Sequence, residues 1–124
     1  MVADLVLSSL KKTWFIDLDG TVLIHNSNVA KNEDQVISKS LDFLRNIEDD
    51  YIVFTTSRSR KYKKKTESFL KLNNIKFDFI IYDLPYGERI LVNDNKSSGL
   101  TTAYAIALER NAGIYLSLLI DKSK

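Results

Sequence analysis

The sequence lacks cysteine altogether and has only one proline and one histidine among its 124 residues. Without cysteine the chain has no disulfide framework, no zinc-thiolate site and no thiol nucleophile. No apolar stretch approaches the ~20 residues that a membrane-spanning helix needs. The apolar residues at the start precede Lys11 and Lys12 instead of following them, which is the wrong order for a secretory signal. These absences predict a cytoplasmic protein with no membrane contact.

The chain also has little net charge, since 18 basic and 16 acidic residues leave a net charge of +2. This balance suits an anionic small substrate without requiring nucleic acid. The apolar fraction of 44% and the charged fraction of 27% are typical of a globular domain. A chain of this length supplies one core with little to spare. We therefore predict one domain over residues 1–124, with an N-terminal tail at 1–12 and a C-terminal tail at 121–124.

The most informative stretch is an apolar run that ends abruptly at Asp17 and Asp19 and continues into Gly20 and Thr21. An apolar run beside a glycine turn predicts a buried strand that ends in a loop. Two carboxylates this close need a compensating cation, or one of them must stay protonated. Mg²⁺ supplies such a cation and also binds phosphate oxygens. The alternative is a surface Asp-Gly turn, which the apolar residues directly before the pair disfavour.

The segment Asp17-Leu18-Asp19-Gly20-Thr21-Val22 resembles the D-x-D-G-T-[VI] signature of the haloacid dehalogenase (HAD) superfamily of phosphohydrolases, and the likeness extends to about residue 113. The resemblance implies an α/β fold with a three-layer, Rossmann-like parallel sheet, a small flap and no large cap. It also implies that Asp17 is the nucleophile, that Asp19 is the general acid/base and that Mg²⁺ is required. Gly20 and Thr21 would line the substrate site.

The rest of the chain alternates short apolar runs with amphipathic stretches, a pattern typical of a mostly parallel sheet with helices on both faces. A polar flap is expected at 22–32. Strands are predicted at Thr13–Asp17, 51–54, 77–82, 90–92 and 114–120, and helices at 33–48, 58–73 and 100–110.

Polar residues also follow the second predicted strand, at the end where open α/β sheets bind ligands. A hydroxyl or a loop amide there binds a phosphate oxygen. The resemblance to the second HAD motif, T-[GAS]-R, favours Thr56 over Thr55 as the phosphate ligand, with Ser57 and Arg58 also in the substrate site. The alternative is that hydroxyls cap the next helix, with Ser57 or Ser59 in that role.

The fourth predicted strand is followed by Asn93 and Asp94. The resemblance implies that Asp94 completes the Mg²⁺ site with Asp17 and Asp19. Asn93 replaces the acid or glycine that the family carries there, and an amide oxygen ligates without adding charge. The alternative is a plain Asn-Asp-Asn turn.

The lysine that HAD phosphatases place before the fourth strand is missing, and Leu84 stands at that position. Arg89 and Lys96 flank the strand and are the nearest cations. We predict Lys96 in the catalytic role and Arg89 as a substrate contact, with ordinary solvent-exposed charge as the alternative for both.

Two further features remain open from the sequence. His25 is predicted to face the substrate from the flap, although a histidine in a polar loop is more often solvated. Six basic residues fall within 58–65. They form either a solvated helical face or a positive rim that attracts an anionic substrate.

Together these features predict a Mg²⁺-dependent phosphomonoester hydrolase that acts through an aspartyl-phosphate on a phosphorylated small molecule, with a sugar phosphate favoured. An uncapped site would take its lid from a second subunit of a homo-oligomer or from a large substrate. One alternative is a catalytically weak or inactive phosphate-binding HAD relative, motivated by the missing lysine. The other is a nucleic-acid end phosphatase, motivated by the basic run, although nucleic acid is not the favoured partner.

Overall fold

The computed structural model describes residues 3–25, 28–31 and 33–124, and it shows a small α/β domain with parallel strands in open sheets. Its elements are β1 (Ala3–Ser8), β2 (Thr13–Asp17), α1 (Ser38–Asn46), β3 (Tyr51–Thr55), a 3₁₀ turn (Arg60–Tyr62), α2 (Lys63–Leu72), β4 (Phe79–Ile81) and β5 (Leu116–Asp121). Within the described residues, no helix combines the length and apolarity needed to cross a membrane.

The larger sheet consists of β2, β3 and β4 in that spatial order, and both pairings are parallel. The central strand β3 buries Ile52, Val53 and Phe54, as expected for a parallel strand covered on both sides. The edge strands are more open, and Phe15 and Phe79 are each 57% exposed. Because the three strands run in the same direction, their carboxyl ends meet at one edge of the sheet.

Helix α1 is shorter than the helix predicted at 33–48. Residues 35–37 are extended instead and lie antiparallel to residues 22–24. Ile24 N–H donates to the Gln35 carbonyl at 2.9 Å, and Ile37 N–H donates to the Val22 carbonyl at 2.9 Å. Leu23 and Val36 form an antiparallel bridge between the two segments. The first residues of 22–32, the segment predicted as a flap, thus pair with 35–37, while 26, 27 and 32 lie outside the described residues.

A second, two-stranded sheet joins the two ends of the chain, with β1 parallel to β5 from the Ala3–Leu116 pair to the Ser8–Asp121 pair. The prediction of a tail at 1–12 is wrong for this segment, because residues 3–8, with the apolar run Leu5-Val6-Leu7, form a strand. On β5, Leu116 and Leu118 pack against the main core. The predicted last strand therefore forms, but it belongs to this second sheet.

The strand predicted at 90–92 and the helix predicted at 100–110 do not form. Ile90 is 84% exposed and Val92 is 89% exposed. Polar groups of this segment form hydrogen bonds within the segment itself. Asn93 Nδ2, for example, donates to Thr102 Oγ1 at 3.0 Å. A helix shorter than ~12–15 residues is marginal without a packed face. Residues 100–107 lack that support, since most of them are exposed.

Candidate functional site

The polar residues at the end of β2 lie at the carboxyl edge of the larger sheet. Leu18 N–H donates to the Thr55 carbonyl at 2.9 Å and thereby ties the ends of β2 and β3 together. Gly20 has φ +88°, a conformation that disfavours side chains. Its N–H donates to the Leu23 carbonyl at 2.6 Å and closes the turn. The hydroxyl of Thr21 lies 3.4 Å from Asp17 Oδ2.

Asp17 is an exposed residue at this edge, and the pKa of its side chain is raised above the ordinary value. Partial burial of the carboxylate is the largest cause. Arg89 opposes it, and the negative charge of Asp19 adds to it. A carboxylate whose pKa is shifted both by desolvation and by specific neighbouring charges is a candidate reactive group.

Arg89 is the cation whose charge acts on Asp17. Its Nη1 donates to the carbonyls of Pro85 and Gly87, each at 3.0 Å, and its Nη2 lies 3.5 Å from Ser57 Oγ. Ser57 Oγ also donates to the Pro85 carbonyl at 3.4 Å. The loop after β4 therefore holds Arg89 beside the end of β3. Lys96 is exposed, and its backbone N–H bonds to the Leu100 carbonyl within its own loop.

Asp19 differs from Asp17 because its side chain is already bound. Thr56 Oγ1 donates to Asp19 Oδ2 at 2.8 Å. Arg58 donates to Asp19 Oδ1 from Nη2 at 2.8 Å and from Nε at 3.0 Å. The Asp19 side chain is 18% exposed. The two acids of the D-x-D pair thus have separate environments, one open and one held by a buried cation.

Arg58 is the centre of a buried network that also contains Asp34 and Thr66. Its Nη2 donates to Asp34 Oδ1 at 2.6 Å, and its Nη1 donates to Asp34 Oδ2 at 3.1 Å and to Thr66 Oγ1 at 3.0 Å. The side chains of Arg58 and Asp34 are only 2% and 1% exposed. Burial alone would lower the pKa of Arg58, but the hydrogen bonds and charges of Asp34 and Asp19 outweigh it and raise that pKa.

The sequence predicts that Arg58 and Thr56 contact the substrate, but in the structure both side chains bind other groups of the protein. All five N–H groups of the Arg58 guanidinium have acceptors inside the protein, so none is left for a ligand. The hydroxyl of Thr56 is used by Asp19 and accepts from the backbone N–H of Arg58 at 3.0 Å. Capping was correctly predicted, because Ser59 accepts from Lys61 N–H at 3.3 Å at the start of the 3₁₀ turn.

Asp94 does not form a metal-binding group with Asp17 and Asp19, since the described residues contain no group of three or more acidic or histidine side chains that could hold a metal ion. The preceding residues, 90–92, do not join the sheet as a strand. The role of Asp94 as a Mg²⁺ ligand stays a prediction. His25 is exposed, and its backbone N–H donates to Asn111 Oδ1 at 2.7 Å.

Sequence reasoning missed Asp34, Arg110 and Asn111. Asp34 lies among other polar residues, and no local signal separates it from Glu33. Asn111 N–H donates to the Gly20 carbonyl at 2.7 Å. A Cβ on Gly20 would lie 3.2 Å from Arg110 Cγ, so this segment packs directly on the Asp-Gly turn. The positive φ of Asn111, +65°, belongs to a turn that the sequence Arg-Asn-Ala-Gly makes recognisable.

Comparison with known protein families, curated proteins and solved structures found no match for the chain. The resemblance to the HAD superfamily therefore depends on the sequence motifs alone.

Proposed function

We propose that this protein is a Mg²⁺-dependent phosphomonoester hydrolase of the HAD type. The observation that carries the proposal is Asp17 at the carboxyl edge of a parallel sheet, where partial burial of the carboxylate raises its pKa and the charge of Arg89 acts on it. The D-L-D-G-T-V segment supports it, because the HAD signature places its nucleophile at the same position. A three-layer, Rossmann-like sheet with a small flap and no large cap belongs to the same proposal.

In the proposed reaction, Asp17 attacks phosphorus while the bond from phosphorus to the leaving oxygen breaks. The leaving oxygen takes a proton, and the phosphoryl group remains on Asp17. Water then attacks that phosphorus, which regenerates the carboxylate and releases inorganic phosphate. Arg89 is placed to stabilise the negative charge on the phosphoryl oxygens.

Asp19 takes the acid–base role in this proposal. Both of its oxygens accept hydrogen bonds, from Thr56 and Arg58. Its position is therefore set by the protein before a substrate arrives, and the exposed part of its carboxylate is the part available for proton transfer. The buried network is thus a support for Asp19.

Mg²⁺, when bound, would neutralise charge on the phosphoryl oxygens and on Asp17. The donors present fit this ion in part, since Mg²⁺ is usually held by one or two carboxylates plus substrate phosphates. The Asp17 side chain and the backbone carbonyl of Asp19 would hold it. Asp94 stays the third ligand that the sequence predicts, although the described residues show no three-acid group at this site.

The pH dependence of turnover should identify the cation that acts on Asp17. Arg89→Gln removes a charge that lowers the pKa of Asp17, so the acidic limb of the kcat/KM profile should move to higher pH. Loss of this oxyanion contact should also reduce kcat/KM, by about 10²-fold. Lys96→Gln is the matched control and should leave the acidic limb in place. A shift caused by Lys96→Gln alone would contradict the role given to Arg89.

A second candidate is a non-catalytic phosphate-binding relative. The specific observation in its favour is that Asp19 is bound to Arg58, while the described residues contain no three-acid metal group. In that case phosphate and Mg²⁺ would bind without turnover.

A phosphatase screen separates the two candidates. Purified protein is assayed with a chromogenic phosphate ester, sugar phosphates and nucleotides, with Mg²⁺ and with EDTA. We expect release of phosphate that depends on Mg²⁺ and is strongest for a small phosphorylated molecule such as a sugar phosphate. Absence of turnover across the panel, with Mg²⁺ binding retained in calorimetry, would support the second candidate. The proposed location is the cytoplasm, where such substrates are abundant.

A further inference from the structure

The outer face of α2 and the preceding 3₁₀ turn form a shallow groove of about 450 Å³, which we call the α2 groove. Its charged lining consists of Arg60, Lys61, Lys63, Lys64, Lys71 and Glu67. Five cations against one acid give this surface a strong positive potential. The groove starts two residues after Arg58 in the chain and shares no lining residue with the candidate site.

The cations of the α2 groove are not neutralised by the rest of the described protein. The only acid in the groove, Glu67, accepts a hydrogen bond from the Tyr82 hydroxyl at 3.0 Å. Lys63, Lys64 and Lys71 take part in none of the ion pairs among the described residues. Arg60 has only a distant partner in Asp83, at 3.8 Å. Uncompensated charge concentrated in a concavity attracts a ligand of opposite sign.

Lys63 and Lys64, in the first turn of α2, are unfavourable for the stability of the helix. The first turn of α2 contains no acidic residue, and its N-cap, Tyr62, makes no side-chain capping bond. Cations near a helix N-terminus interact unfavourably with the helix dipole. A purely solvated face would gain from acids at this point, so the arrangement is better explained by a ligand that supplies negative charge.

We propose that the α2 groove binds a single strand of nucleic acid through its phosphodiester backbone. Residues 60–71 extend over roughly 17 Å at about 1.5 Å per residue, which is long enough to follow several successive phosphates of one strand. The cations lie along one face of a single helix, which suits one strand better than a duplex. Tyr62 does not line the groove but lies between Lys61 and Lys63 in the chain and is partly exposed, with Lys61 Nζ 5.1 Å from its ring centroid. An aromatic ring beside a basic groove is a surface for base stacking.

The test is binding of fluorescent 12-mers of oligothymidylate and oligouridylate without terminal phosphates, followed by fluorescence anisotropy. No hydrolysis is measured, so the result is independent of the proposed phosphatase activity. With about four contacts and a salt slope of about −0.7 per contact for single strands, affinity should fall about 50-fold between 50 and 200 mM salt.

Variants locate the binding to the groove. Lys64→Gln with Lys71→Gln should reduce the salt slope by about 1.4 and weaken binding at least about tenfold at low salt. Lys122→Gln with Lys124→Gln makes the same charge change at exposed positions beyond the groove and should leave the slope unchanged. Absence of binding, binding insensitive to salt, or equal losses in both double variants would overturn the proposal. Equal competition by a 12-residue polyglutamate would also overturn it, in favour of acidic protein segments.

Discussion

Replacement of Asp17 by Asn should reduce Mg²⁺-dependent phosphate release by about 10⁴-fold or more, the scale on which enzymes lose activity with their nucleophile. The amide is nearly the same size but cannot form the acyl phosphate. The measurement is steady-state phosphate release with the best substrate of the screen. Asp42→Asn makes the same chemical change on the exposed face of α1 and should retain full activity. Hydrolysis that survives in Asp17→Asn would refute the proposed nucleophile.

The same variant should not lose stability. Partial burial raises the pKa of Asp17 above its ordinary value of 3.8, so the folded state keeps the proton to higher pH than the unfolded state. The ionised carboxylate therefore disfavours folding, and stability falls as the pH rises through the interval between the unfolded and the folded pKa. At neutral pH, Asp17→Asn removes this penalty, and its free energy of unfolding in urea should equal or exceed that of the natural protein. A clear loss of stability would show that Asp17 is structural.

Arg58→Ala should have the largest effect on stability, a loss of about 3–5 kcal/mol in the free energy of unfolding. The change leaves Asp34 and Asp19 close together without their shared cation, and the Asp34 side chain is 1% exposed. Urea unfolding followed by circular dichroism measures the loss. Arg58→Lys keeps the charge but supplies three donors instead of five, and we expect an intermediate loss. It provides the measurement if the alanine variant does not fold.

Arg60→Ala is the matched control for this prediction. It removes the same side chain two residues away, where Arg60 is 75% exposed and lies 3.8 Å from Asp83. Such a surface pair contributes about 0–1 kcal/mol. Equal losses in the two alanine variants would contradict the role of Arg58 as the partner of both acids.

The elements that the sequence predicted best are those whose signal is local. β2 forms over the predicted residues Thr13–Asp17, and β3 differs from its prediction by one residue. Both are apolar runs with β-branched or aromatic residues that end in polar loops. The elements that failed, at 90–92 and 100–110, have the right periodicity but lack a partner surface. Their side chains remain largely exposed, so periodicity alone did not produce a strand or a helix.

The sequence by itself determined the strands β2 and β3, the position of Asp17 and Asp19 at the end of β2 and in the turn that follows, and the hydroxyl-rich segment at the end of β3, because each depends on neighbouring residues. Only the tertiary structure decided that Asp17 stays open while Asp19 is bound, and that Asp34 is the buried partner of Arg58. Those contacts join residues 39 and 24 positions apart in the chain. Burial and charge pairing over such separations depend on how the strands and the flap pack, and no local pattern of residues encodes them.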